Sequence, residues 1–218
     1  MLTRKEARHA LVGPVKNWKT KRDFQIRFLK AMGLAPDHYL LDIGCGTLRG
    51  GIPLIKYLRH SHYCGIDVRK QVLDEGRKEL QESGLGKKHP VLLHVTDISQ
   101  LMMDRKYDYI WAFAVLIHMS DDILHHTLAC IKKYLADGGV CYANVNVDSE
   151  GGGGGSYWHE FPLVWRPYEF YNRACSRNHL VLTDLGPLKN YGDPVATQDT
   201  QRMVRITLCR DMTHVANI

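Results

Sequence analysis

Residues 39–51 read YLLDIGCGTLRGG, and this stretch decides the fold. Tyr39 to Ile43 has the length and apolar character of a buried strand, broken only by Asp42, and it runs directly into Gly44, Cys45 and Gly46. Glycine turns sharply and lets the backbone lie against a ligand, because no Cβ stands between them. A helix that follows such a turn presents unpaired N–H groups. A second apolar run, His62 to Ile66, ends at Asp67, twenty-one positions past Gly46. That is the spacing of a carboxylate that grips ribose hydroxyls at the end of the second strand of a nucleotide-binding unit.

The pattern continues outward in both directions. Upstream, Phe24, Phe28, Leu29 and Met32 share one face of a helix expected over 17–32, with Gly33 as its stop. Downstream, a helix is expected from Gly51 to Leu58, where Pro53 is tolerable because it lies in the first turn, and another over 69–82. Strands are expected at Val91–Val95, Tyr107–Ala114 and Val140–Val145. Between the last two, Ser120 or Asp121 caps a helix whose Leu124, Leu128, Ile131 and Leu135 recur until Asp137-Gly138-Gly139. Strands alternating with helices specify a parallel sheet with right-handed crossovers. The last third departs from this. After a helix around Pro167–Asn178, strands at Leu180–Leu185 and Met203–Cys209 are joined by a loop without a helix, so they are antiparallel neighbours if they pair directly.

LLDIGCGT followed by GID resembles motifs I and II of the class I S-adenosylmethionine-dependent methyltransferases, and the order of elements resembles that family over residues 37–210. The resemblance implies an α/β fold: a doubly wound, mostly parallel seven-stranded sheet with an antiparallel C-terminal edge strand, helices on both faces and an N-terminal helical extension. One domain is expected, with the extension over 1–36, a cofactor-binding core over 37–146, a lid and acceptor-recognition segment over 147–179, and the strand pair over 180–210. The implied cofactor is S-adenosylmethionine, with S-adenosylhomocysteine as product. Gly44, Cys45 and Gly46 would admit its amino-acid part, with Asp42 at the ammonium and Arg49 in the same loop. Asp67 would hold the ribose, Val68 and Arg69 would lie beside the adenine, and Asp97 and Ile98 would hold its amino group and ring face. Phe113 and Ala114 would supply backbone contacts. In one place the chain departs from the family: Leu48 stands where a third glycine is usual.

Composition narrows the class. The 218 residues suffice for one sizeable core, and no run approaches the roughly 18 apolar residues that span a bilayer. The N-terminus lacks the apolar stretch of a secretory signal, and the six cysteines are scattered without a CxxC pair, so a soluble protein of a reducing cytoplasm is expected. The formal charge of +6 is concentrated in residues 1–30, where nine Lys or Arg face two acids. Such a segment reads as a solvated helix face or as an attractor of an acidic substrate or RNA.

The acceptor side is read from the residues after the fourth and fifth strands. His118 is the general-base candidate, since it follows the fourth strand at the cofactor edge and imidazole titrates near neutrality. Asn144 and Asn146, on or just past the fifth strand, either orient a polar acceptor or cap the strand end. The run EGGGGGSYWHEFPLVWRPYEFY, residues 150–171, begins with a glycine stretch that reads either as a natural flexible lid or as an inserted linker, and then turns aromatic. Trp158 and Trp165 flank its Phe-Pro turn and are expected at the acceptor. No His, Asp or Glu spacing specifies a metal. The leading expectation is methyl transfer to a small molecule by in-line displacement, through alignment and exclusion of water. The alternatives are an RNA-directed methyltransferase and a catalytically silent cofactor-binding interaction module. A plain nicotinamide enzyme fits poorly, because GxGxxG spacing is absent.

Overall fold

The computed structural model describes residues 2–148, 157–158, 161–192 and 199–209, with backbone alone for 157–158. The glycine run therefore lies outside the described residues. In chain order the elements are α1 (Arg4–Ala10), α2 (Trp18–Ala31), β1 (Leu40–Ile43), α3 (Gly51–Tyr57), β2 (Tyr63–Asp67), α4 (Lys70–Glu82), β3 (Val91–His94), β4 (Tyr107–Ala112), α5 (Asp121–Tyr134), β5 (Leu135–Asn146), α6 (Tyr168–Arg177), β6 (Leu180–Pro187) and β7 (Gln201–Leu208). Two-residue strands at 157–158 and 161–162 pair separately as a small hairpin.

The main sheet has the order β3-β2-β1-β4-β5-β7-β6. Neighbours from β3 to β5 are parallel, whereas β7 runs antiparallel to both β5 and β6. The C-terminal pair thus closes one edge as expected, with the last strand slotted inside β6. Strand order reverses between β1 and β4, and such a switch point leaves a crevice at the carboxyl ends of those two strands.

Alternation along β1 shows how the sheet divides its two cores. Leu41 and Ile43 join Ile110, Ala112, Ala143 and Val145 beneath the Leu124, Leu128 and Ile131 stripe of α5. Leu40 points the other way with Trp111 and Tyr142, beneath Phe24, Phe28 and Leu29 of α2. The indole N–H of Trp111 is satisfied by Gln25 Oε1 of α2 at 2.9 Å, which lets a tryptophan be fully buried without an orphaned donor.

Most expected boundaries shift by a residue or two. The larger difference lies in β5, which starts at Leu135 and not at Val140. Tyr107 pairs with Leu135 and Tyr109 with Val140, so Asp137-Gly138-Gly139 forms a bulge within the strand, with Gly138 at φ 79°. A Cβ on Gly139 would stand 3.0 Å from three carbonyl oxygens, which accounts for the second glycine.

A first helix, α1, had no hydrophobic stripe to announce it. Its signal is the capping box of Thr3 and Glu6: Glu6 N donates to Thr3 Oγ1, and Thr3 N donates to Glu6 Oε2. The basic residues here are not all a solvated face. Arg8 is buried against α4, where its guanidinium reaches Glu75 at 3.1 Å, Glu79 at 2.5 Å and Glu82 in a two-pronged contact at 2.7 Å. His9 stacks on Trp18 with ring centroids 3.7 Å apart and so ties α1 to α2. No helix among the described residues is long and apolar enough to cross a membrane.

Candidate active site

A cavity of about 460 Å³ lies at the carboxyl ends of the strands, where their order reverses. β1 contributes Ile43, and the loop after it contributes Gly44 and Arg49. From β2 and just beyond come Ile66, Asp67, Val68 and Arg69, and from beyond β3 come Asp97 and Ile98. The segment after β4 adds Phe113, Ala114, Val115 and His118, with Phe161 and Leu163 beside them.

The glycine turn is built for close approach. Gly44 and Gly46 have φ of 71° and 58°, and a Cβ on Gly44 would sit 2.4 Å from the Val115 side chain. Leu48 resolves the departure noted in the sequence. It keeps the left-handed backbone of the missing glycine, φ 61°, and its side chain is fully buried. Left-handed geometry costs a non-glycine residue about 1–2 kcal/mol, which the roughly 1.5–3 kcal/mol recovered by burying a leucine offsets. Gly51 and Gly76 leave the room it fills, since a Cβ on either would crowd the leucine.

Asp67 fixes the turn. Its Oδ2 accepts from Gly46 N at 2.9 Å and its Oδ1 from Arg69 N at 2.8 Å, so one carboxylate bridges the loops after β1 and β2. Each oxygen retains a lone pair for a ligand hydroxyl. Asp97 caps the next turn by accepting from Ser99 N and Oγ, and these bonds hold its carboxyl below the usual range. Ala114, at φ 56°, donates its N–H to Asn144 Oδ1 at 2.5 Å, so Asn144 shapes the turn after β4.

His118 is half-buried, and burial pushes its pKa below the ordinary value. Its Nδ1 lies 3.0 Å from the carbonyl of Pro162. A carbonyl only accepts, so Nδ1 carries the proton and the lone pair of the neutral ring is on Nε2.

Several expected residues lie behind the wall. The Asp42 carboxylate accepts from Tyr63 Oη at 2.6 Å and is buried beneath the loop. Cys45 packs against Gly65, and Gly46 lies under Val12. Asn146 is fully buried, with neither amide atom bonded among the described residues. Trp165 is partly buried and outside the cavity lining, and the side chain of Trp158 falls outside the described residues. No cluster of metal-ligating side chains occurs among the described residues.

Desolvation and the proximity of Asp67 raise the Asp42 pKa to about 7 despite the Tyr63 bond. A carboxyl that binds its proton more tightly when folded contributes stability that is complete below pH ~4 and is lost as pH rises toward the folded value. Asp42→Asn is therefore expected to flatten the fall in melting temperature between pH 4.5 and 8. An unchanged slope in thermal melts would count against a protonated Asp42.

The sequence missed two contributors. Ile123, His126 and Thr127 of α5 enter the lining near Asp97. More consequential is a strap, residues 11–17, that crosses the strand ends from outside the sheet. Arg49 Nη1 donates to Val12 O at 2.7 Å and Arg69 Nη1 to Leu11 O at 3.1 Å, so two expected cofactor residues also fasten this strap. Arg166 is a further hidden fastener. Its buried guanidinium donates to Asp121 Oδ1 and to Met119 O, and so holds the segment carrying Phe161 and Leu163 against the turn after His118.

Strand order, glycine turn and the carboxylate at the end of β2 agree with the fold that the methyltransferase resemblance implies. The methyltransferase-domain family profile matches residues 41–141. Among solved structures, the chain is similar to an S-adenosylmethionine-dependent methyltransferase from Clostridium acetobutylicum ATCC 824, at 18% identity and a TM-score of 0.65, over 88% of this chain and 91% of that one. It is also similar to magnesium protoporphyrin IX methyltransferase (ChlM) from Synechocystis PCC 6803 with bound SAM, at 14% identity and a TM-score of 0.64, over 95% and 86%. A third is the glycopeptide N-methyltransferase MtfA complexed with sinefungin, at 11% identity and a TM-score of 0.67, over 88% and 94%.

Proposed function

We propose that the cavity binds S-adenosylmethionine and that the enzyme methylates a small-molecule acceptor at an O–H or N–H group, with His118 as the base. One observation carries this reading: a single cavity joins the glycine turn, Asp67 and Asp97 to a neutral histidine with its lone pair on Nε2. The residues fit the cofactor. Gly44 and Gly46 leave the backbone bare where a Cβ would intrude, Asp67 keeps acceptor capacity for ribose hydroxyls, and Val68, Asp97 and Ile98 surround the expected adenine position. Solved relatives of this fold were captured with SAM, SAH or sinefungin.

When bound, S-adenosylmethionine supplies a methyl group whose bond to sulfur breaks, both electrons staying on sulfur, as the acceptor's lone pair forms the new bond. The chain's part is alignment, dryness and proton removal. Phe113, Val115, Phe161 and Leu163 keep water from the reacting end. Pro162 O holds the His118 ring in the tautomer that takes the acceptor's proton on Nε2.

Calorimetry with S-adenosylhomocysteine tests the site, and binding of NAD in its place would overturn it. His118→Gln tests the base. Loss of a positioned base is expected to lower kcat by about 10²-fold or more. Because only neutral His118 accepts a proton, the wild-type rate should rise with pH through the lowered pKa and then level off. The variant should lose that acid limb. A variant that keeps both rate and limb would remove His118 from the chemistry.

A further inference from the structure

Residues 161–166 run beside the turn that carries His118 and meet it at three successive places. His118 Nδ1 donates to Pro162 O at 3.0 Å, and Val164 N donates to Ile117 O at 2.9 Å. Arg166 then donates to Met119 O at 2.6 Å through Nη2, and to Asp121 Oδ1 at 2.9 and 2.7 Å through Nε and Nη2. The turn keeps its own shape: His118 N bonds Val115 O, Met119 N bonds Leu116 O, and the Ser120 hydroxyl caps α5. The place of Pro162 O is a different matter, because it depends on how the 161–166 segment is docked.

Arg166 is the strongest tether of that segment. It is 5% exposed, its bonds to the turn are charge-assisted, and its guanidinium lies 5.0 Å from the ring centre of Phe170 and 5.8 Å from that of Tyr171 on α6. A guanidinium meets two acceptors in fixed directions at once, which an ammonium does not reproduce. The segment's own secondary structure is slight: residues 161–162 pair in the small hairpin, and Arg166 bridges Val147. Nearer its start, Phe161 has its ring centre 5.5 Å from the Arg69 guanidinium, and Phe161 and Leu163 line the cavity. The Arg166 fastening therefore sets both the apolar cover of the chamber and the carbonyl that meets the imidazole.

Its consequence falls on a proton. A neutral imidazole carries a single N–H, and the bond that the ring makes decides which nitrogen holds it. With Pro162 O against Nδ1 the N–H is fixed there and the lone pair lies on Nε2. With Pro162 O withdrawn, both tautomers are open to the ring.

Building on the reading of His118 as the base, we propose that Arg166 is a positioning residue for that base: it docks residues 161–166 on the turn, places Pro162 O against Nδ1, and so sets which nitrogen takes the acceptor's proton. Enclosure and proton removal are then coupled. The docking that brings Phe161 and Leu163 to the chamber also presents the basic lone pair, so the base is set only where water is already excluded.

The test needs no acceptor. The full chain is labelled with ¹⁵N in its histidine rings and observed by NMR at about pH 8, where a ring of lowered pKa is neutral, with the His118 signals identified by their loss in His118→Gln. The wild-type ring should be protonated on Nδ1. Arg166→Met should convert it to a mixture of the two tautomers, a change that a purely structural residue elsewhere would not produce. Asp121→Ala removes two of the three bonds from the exposed side of the contact and should give the same change in smaller measure, which keeps the question open to decision if Arg166→Met does not fold. An unchanged Nδ1–H tautomer in either folded variant would overturn the role of Arg166 alone. A wild-type ring protonated on Nε2 would instead overturn the base reading on which the proposal rests.

Discussion

Asp67→Ala is expected to weaken S-adenosylhomocysteine binding by at least about 100-fold, because two hydrogen bonds from ribose hydroxyls to a carboxylate are together worth roughly 3 kcal/mol or more. The loss has a second source in the protein itself. Asp67 is 5% exposed and accepts the N–H groups of Gly46 and Arg69, so alanine strands two donors in a place with little water. Each stranded donor costs about 1–3 kcal/mol, and the turn carrying Gly44 and Gly46 should loosen along with the affinity. Asp67→Asn separates the effects. Its carbonyl can serve one backbone donor while its NH₂ opposes the other, so stability should recover in part while affinity stays low. Full affinity in either variant, measured by calorimetry, would remove Asp67 from the ribose position.

Arg8→Met should lower stability by about 3–5 kcal/mol, since removing one partner of a buried ionic cluster leaves the other charges uncompensated. For a chain of this length the melting temperature would fall by on the order of 10 °C. Glu75, Glu79 and Glu82 lie within one helix face around the guanidinium, and without it they repel one another. Arg8 is the main cause holding the Glu82 carboxyl below its usual range. A lowered carboxylate pKa stabilises the fold above pH ~4.5, with the contribution lost as pH falls through the lowered value, so the variant should show a flatter acid limb in thermal melts. Because α1 also anchors the strap, the cavity should lose its N-terminal wall. A stability within 1 kcal/mol of wild type, judged by denaturant titration on the scale of roughly 1 kcal/mol for an exposed pair, would show the cluster to be no more than surface charge.

What could be read from the chain alone follows from how locally each feature is encoded. The β1 turn, Asp67, Asp97 and the alternation of strands and helices are short-range signals, and the structure brings Gly44, Asp67, Asp97 and His118 to one cavity. The strap was illegible because its function depends on contacts that skip 37 and 58 positions, from Arg49 to Val12 and from Arg69 to Leu11. Arg8 looked like one more solvated basic residue because its three glutamates lie a whole βαβ unit away. Arg166 carries no local signal either, because the carboxylate of Asp121 and the carbonyl of Met119 that it fastens lie 45 and 47 positions away. The start of β5 was misplaced for a different reason. Two glycines after an acid are a stop signal in any local reading, and only the pairing partner β4 reveals that the strand continues through them.

The slot that β7 occupies also constrains the order in which the molecule can be assembled. β6 is made before β7 and yet meets β5 only through it. Until residues 201–208 arrive, the edge of β5 from Cys141 to Asn146 has no partner on that side, and an unpaired hydrophobic edge is the surface through which chains adhere to one another. Closure of the sheet is therefore a late, long-range event in folding, and the β5 edge is where a partly folded chain is most exposed to misassociation.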